Sequence, residues 1–146
     1  MRDSGDARLL AQVLVYPVLH AEHPAPDAEL AAMLAELPFG FSSEQTQAIN
    51  ANYLGDASPG EMYAFPGGHD LRRVAPALIV AADGDDLRPS AEAYVGDLAR
   101  SGVDVEYVRQ PGATHGFLNM IGDASALHTV DRIARYLCER AEGAGI

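Results

Sequence analysis

The stretch Ala77–Val108, ALIVAADGDDLRPSAEAYVGDLARSGVDVEYV, decides the fold class. Its opening residues, Ala77 to Ala82, are apolar without a break. Such a run marks a strand covered on both faces, as in a parallel sheet. Pro76 announces the strand, and Asp83-Gly84 closes it with turn chemistry. Pro89 suits the first residue of a helix. Ala91, Tyr94, Val95 and Leu98 then share one helical face, and Gly102 is a good C-terminal stop. Val103 to Val108, VDVEYV, alternates apolar and polar, as expected of a strand nearer a sheet edge with one wetter face.

Upstream, Gln12 to Leu19 reads QVLVYPVL. Val13 to Tyr16 are consecutive apolar strand formers, again the mark of an internal strand, and Pro17 ends regular pairing. His20 to Asp70 is a long connection with helical patches. Asp27 can cap a helix carrying Leu30, Met33, Leu34 and Leu37, stopped by Pro38 and Gly40. Ser42 with Gln45 makes a capping box for a second helix, with Ile49 and Tyr53 on one face and an end before Gly55. Gly55 to Gly68 reads as irregular. Downstream, Gln110 to Gly116 reads as a loop. Asp123 can cap a last helix whose Leu127, Val130, Ile133, Ala134 and Leu137 face inward, and Glu142 to Ile146 should fray. The alternation predicts an α/β fold of about three parallel strands with flanking helices and right-handed crossovers.

The chain has 146 residues, 48% apolar and 21% charged, which excludes disorder and fibrous repeats. Lys plus Arg is 10 against 21 Asp plus Glu, a formal net charge of -11. Such a surface repels phosphate backbones and anionic lipid, so neither nucleic acid nor a membrane surface is expected as a partner. A lone Cys138 cannot form an internal disulfide, so no oxidising compartment is implied. MRDSGDARLL holds no apolar signal core, and no apolar run approaches the ~20 residues of a spanning helix. A cytoplasmic location is therefore expected.

In open α/β sheets, functional groups gather at the carboxyl ends of the strands. Asp83-Gly84-Asp85-Asp86-Leu87-Arg88 follows one strand, and Pro111-Gly112-Ala113-Thr114-His115-Gly116-Phe117 follows the next. A carboxylate and an imidazole on neighbouring strand ends can form an Asp–His pair. The acid fixes the tautomer and stabilises the imidazolium formed on proton transfer. The plainer alternative makes these residues turn formers, helix caps and a surface histidine. Asp83 and Asp86 are expected in that plainer role.

The run from Ala77 to Asn119 resembles the C-terminal part of the hormone-sensitive-lipase-like α/β-hydrolases, bacterial carboxylesterases of the fold-3 group. Asp85-Asp86-Leu87-Arg88 stands at that family's Asp-Pro-Leu-Arg-like turn, with Asp86 in place of the usual Pro. Glu92-Ala93-Tyr94 fits the following helix, and His115-Gly116-Phe117 fits the His-Gly-Phe motif. Leu9 to Leu19 is similar to the strand after the family's nucleophile helix. Asp70-Leu71 with Pro76-Ala77 matches the approach to the acid-bearing strand. The resemblance implies that Asp85 and His115 are the acid and base of a catalytic triad, that substrates are short- to medium-chain acyl esters, and that no cofactor is needed.

The Gly-x-Ser-x-Gly elbow and the His-Gly-Gly-Gly-type oxyanion loop of that family do not occur in this sequence. Around Ser58 the string GDASPG has an extra residue before the serine. The family's chain order is Ser, Asp, His, which would place the elbow before Met1. Residues 1–146 are thus expected to form a single C-terminal segment of such a domain. Within it, 20–70 are lid or connecting helices and 76–141 the acid- and histidine-bearing part, with no nucleophile in the chain. The first strand then has an open edge that invites self-association or a complementing chain. The rival reading is a catalytically inactive remnant or interaction module, and a late start codon is a third. His20-Ala21-Glu22-His23 is read as a surface loop rather than a metal site, and Cys138 as a structural or partly exposed thiol. Apolar residues of the Asp27 to Leu54 helices either line an acyl pocket or pack on the sheet.

Overall fold

A computed structural model describes residues 9–37 and 40–145, apart from the side chain of Ser43. Pro38, the expected stop for the first helix, lies outside them. The elements run in the order β1 (Gln12–Val15), α1 (Ala28–Ala35), α2 (Ser43–Leu54), β2 (Ala77–Gly84), α3 (Arg88–Arg100), β3 (Val105–Thr114) and α4 (Ala124–Gly143). A 3-10 turn over Phe117–Asn119 separates β3 from α4. The strands form one three-stranded sheet in the order β1-β2-β3. Both pairings are parallel, with Leu14 opposite Ile79 and Ile79 opposite Tyr107.

The unbroken apolar run has the physical meaning expected of it. Leu78, Ile79, Val80, Ala81 and Ala82 are all 0% exposed at the centre of the sheet. Strand side chains alternate between faces. Ala77, Ile79 and Ala81 pack with Ala91, Tyr94 and Leu98 of α3, together with Leu19 and Leu71. Leu78, Val80 and Ala82 pack on the other face with Ala126 and Tyr136 of α4 and with Phe117. Burying each large aliphatic of β2 contributes about 1.5–3 kcal/mol.

The caps form where their residue types sit. Asp27 accepts from the Leu30 N–H at 2.7 Å, and Asp123 from the Ala126 N–H at 3.0 Å. Ser42 and Gln45 close both halves of the capping box, at 2.9 and 3.1 Å. Each cap contributes typically about 1 kcal/mol. Gly55 ends α2, and Gly102 follows α3 with φ of 71°.

Helix α2 carries Ile49 and Tyr53 on one face as expected, and that face is the outer one, whereas the face of α4 differs from the sequence reading. On α2, Ile49 and Tyr53 are exposed, and the buried positions are Thr46 and Asn50. Asn50 donates to the carbonyls of His20 and Ala21, so α2 hangs on the connecting chain by polar bonds. On α4, Leu127, Val130 and Leu137 are 58%, 55% and 39% exposed; Ala126, Thr129 and Tyr136 face the sheet. Arg132 of α4 reaches Glu106 of β3 at 2.7 Å. At ~100° per residue, the apolar stripe therefore lies to one side of the sheet-facing positions. The tail differs too, since α4 continues helically through Glu142 and Gly143.

β3 extends to Thr114 where a loop from Gln110 was expected. Ala82 pairs with Gln110 but Gly84 with Thr114, so β3 spends extra residues over that interval. Pro111 has no N–H to offer the ladder. Gly112 adopts φ of 69°, and its N–H donates to the Asp83 carboxylate at 3.2 Å. Such an irregularity bends a strand and re-aims its next side chain. Here that side chain is His115.

Candidate active site

Asp85 directly follows β2 and His115 directly follows β3, so the parallel pairing brings both to one end of the sheet. The His115 Nδ1–H donates to the Asp85 Oδ2 at 2.9 Å. The Asp85 side chain is 1% exposed, the His115 side chain 34%. The acid is thus withdrawn from water while the imidazole faces it in part. The other Asp85 oxygen accepts from the Leu87 N–H at 2.9 Å, and its carbonyl from the Arg88 N–H at 3.0 Å. These bonds make the turn into α3 and fix the carboxylate. Gly116, at φ of 78°, turns the chain so that Phe117 drops into the core at 2% exposure. With Nδ1 carrying the proton toward Asp85, Nε2 is the nitrogen left to act as a base.

Two aromatic rings enclose the imidazole, and the sequence reading singled out neither. Tyr16 lies 4.6 Å from the His115 ring centroid, and Phe41 lies 5.3 Å away, nearly perpendicular. Tyr16 sits just past β1 with φ of 40°, a left-handed conformation unusual for a bulky residue. Its N–H still donates to the Val80 carbonyl at 2.7 Å. Strain of this kind costs on the order of 1–3 kcal/mol and clusters at functional sites. Pro17 gave a hint, since it marks the point where β1 must stop.

The remaining acids and the arginine of the turn brace the strand ends. Arg88 has a side chain 0% exposed, 3.4 Å from Asp83, 3.4 Å from Glu92 and 3.6 Å from Asp27. It donates to the Asp83 carbonyl at 2.7 Å. Asp83 also holds Arg109 of β3 at 3.1 Å. Asp83 is thus more than a turn former, because it bridges two strand ends. Two groups of this face have raised pKa values, for different reasons. Asp83, then Glu29, raises the Arg109 pKa. Burial, then the hydrogen bond to Glu92, pushes Tyr107 well above the ordinary tyrosine value.

The histidines of the connecting segment are not the surface loop expected of them, nor are they brought together. The His20 Nδ1 meets the Ser90 hydroxyl at 2.9 Å, and its Nε2 meets Asp97 at 3.3 Å. Ser90 is 0% exposed and also accepts from the Leu19 N–H at 2.8 Å. His23 Nε2 donates to the Asp86 carbonyl at 2.6 Å. Asp86, expected as a cap, instead accepts from the Phe41 N–H at 2.7 Å. Among the described residues, no three His, Cys, Asp or Glu side chains are arranged to hold a metal. Ser58, the serine nearest in pattern to an elbow, accepts from Gly60 N–H in a local turn. Cys138 is exposed. No described helix is long and apolar enough to cross a membrane.

Comparison with known proteins agrees with this architecture. The chain is similar to carboxylesterase NlhH of Mycobacterium tuberculosis, 28% identical over 122 residues, covering 81% of this chain and 37% of that protein. The structure superposes on an esterase of the bacterial hormone-sensitive lipase family with a TM-score of 0.81 and 21% identity, covering 95% of this chain and 46% of that one. A bacterial heroin esterase matches with a TM-score of 0.74 and 23% identity, covering 97% and 45%. The chain thus spans less than half the length of these relatives. Residues 1–119 fit the alpha/beta hydrolase fold family, to which this chain belongs.

Proposed function

We propose that this chain carries the acid–base part of a serine-type carboxylic ester hydrolase. The observation that carries the reading is the 2.9 Å contact between a buried Asp85 and a part-exposed His115 on adjacent parallel strand ends. A serine supplied by polypeptide beyond this sequence attacks the ester carbonyl. His115 Nε2 takes the serine proton and returns it to the departing alcohol. Asp85 holds the ring and stabilises the imidazolium in between. Water then cleaves the acyl-enzyme, with His115 again as base. Substrates of short to medium acyl chain fit the family, and the setting is cytoplasmic. Residues 20–70 act as the wall or lid. A pocket of about 270 Å³ between α1, α2 and Asp86, lined by Leu34, Leu37, Phe41 and Gln45, is a place for an acyl group.

The second reading is an inactive module that pairs with another chain. It is favoured by the outer edge of β1, unpaired among the described residues, and by the exposed Leu127, Val130 and Leu137 of α4. Together they offer a strand edge and a helix face to one partner, which is then either a second copy or a complementing polypeptide.

Hydrolysis of p-nitrophenyl acetate and butyrate separates the two. The purified chain is assayed alone and with a separately expressed fragment of a relative that carries the serine elbow. Turnover that His115→Ala abolishes supports the hydrolase. A mixture that associates but never turns over, with His115→Ala making no difference, leaves the pairing module.

A further inference from the structure

We propose that Asp86 is a positioning residue for His115, acting through Phe41; the idea rests on the reading of His115 as the base. Asp86 stands next to Asp85, where the resembling family usually has Pro. A proline side chain has no acceptor to offer. The Asp86 Oδ2 accepts from the Phe41 N–H at 2.7 Å. A charged acceptor makes this one of the stronger backbone hydrogen bonds. A Cβ at Gly40 would fall 2.3 Å from the same oxygen, so the close approach requires glycine there. The Asp86 carbonyl accepts from His23 Nε2 at 2.6 Å. The connecting segment is therefore tied from two sides to the residue that follows the acid.

The consequence falls on the base. Anchored by its own N–H, Phe41 stands 5.3 Å from the imidazole centroid at 82°. Tyr16 closes a second side at 4.6 Å. With Nδ1 on Asp85 and aromatic rings on two sides, the ring is held in one orientation. Remote anchoring of this kind keeps a reacting group within the small angular range that catalysis tolerates.

The test is the NMR shift of the His115 ring protons, which report the nearby aromatic rings and need no turnover. Asp86→Ala and Phe41→Leu are each expected to move the His115 signals, and the double variant is expected to move them no further than Phe41→Leu alone. Asp86→Asn keeps an acceptor oxygen and is expected to keep the native shifts. Gly40→Ala displaces the Asp86 carboxylate without removing it and is expected to reproduce Asp86→Ala, which covers the case in which Asp86→Ala fails to fold. Native His115 shifts in Asp86→Ala or Gly40→Ala, or additive shifts in the double variant, would overturn the proposal. The ester assay fails independently: absent turnover with Asp86-dependent shifts intact removes the hydrolase reading and leaves the anchoring in place.

Discussion

Two histidines of this chain sit beside aspartates, and only one keeps a ring nitrogen without a described partner. His115 uses Nδ1 on Asp85 and has no described partner on Nε2. His20 uses both nitrogens, one on Ser90 and one on Asp97. The second centre even has the composition of a triad. Yet Ser90 is 0% exposed, and its oxygen already accepts from Leu19. Gly67 lies flat against the His20 ring, where a Cβ would come within 2.3–2.5 Å of three ring atoms. Asp97 is likewise committed, accepting from the Gly68 N–H at 2.7 Å and pairing with Arg100. The same residue types therefore make a sealed relay in one place and an open pair in the other. A free ring nitrogen facing space is the distinguishing feature.

Substitutions should separate the two centres sharply. In an assembly that turns over esters, His115→Ala should lower the rate by at least about 10³-fold, the scale of losing a triad member. The same change leaves one buried acceptor, Asp85 Oδ2, without its partner but opens it to water through the vacated, part-exposed site, so it should cost less stability than the change at the second centre. At the second centre, His20→Ala strands the buried Ser90 hydroxyl and removes one donor from Asp97. Each lost partner costs roughly 1–3 kcal/mol, read as a lower urea midpoint with an unchanged slope. Gly67→Ala pushes the His20 ring out of its seat and should cost about 1–3 kcal/mol, while the Asp85–His115 contact survives. An equal stability loss from His115→Ala and His20→Ala would erase the contrast.

The smallest effect concerns pH. Burial, then Glu92, raises the Tyr107 pKa above its ordinary 10.0. The unfolded chain ionises at the ordinary value and the folded chain resists. This contribution is therefore intact below pH 10.0 and is lost as pH climbs above it. Tyr107→Phe should make the alkaline decline in stability shallower. Tyr136, also raised by burial, keeps part of that decline.

The proximity of Asp85 and His115 was legible because its signals are local. An unbroken apolar strand, turn residues after it and a glycine-flanked histidine each read within a few positions. Alternation along β3 likewise placed that strand at an edge. The sealed relay was not legible, because His20 and Ser90 are 70 positions apart. The reading of Asp86 as a turn or cap residue missed its contact for the same reason, since its partner Phe41 is 45 positions away. The α4 face was misplaced by a different cause. Periodicity identifies an apolar stripe but not what lies opposite it. Leu127 and Val130 are left exposed, while Thr129 and Tyr136 take the sheet-facing positions.

The central claim is that this chain by itself forms an oriented Asp85–His115 pair, with the base nitrogen free. Nitrogen-15 NMR of the imidazole rings tests it most directly. His115 should show the Nδ1–H tautomer, with a low-field proton that Asp85→Ala removes, while His20 should show Nε2–H. A His115 ring in the Nε2–H tautomer, or one that averages freely and ignores Asp85→Ala, would contradict the account.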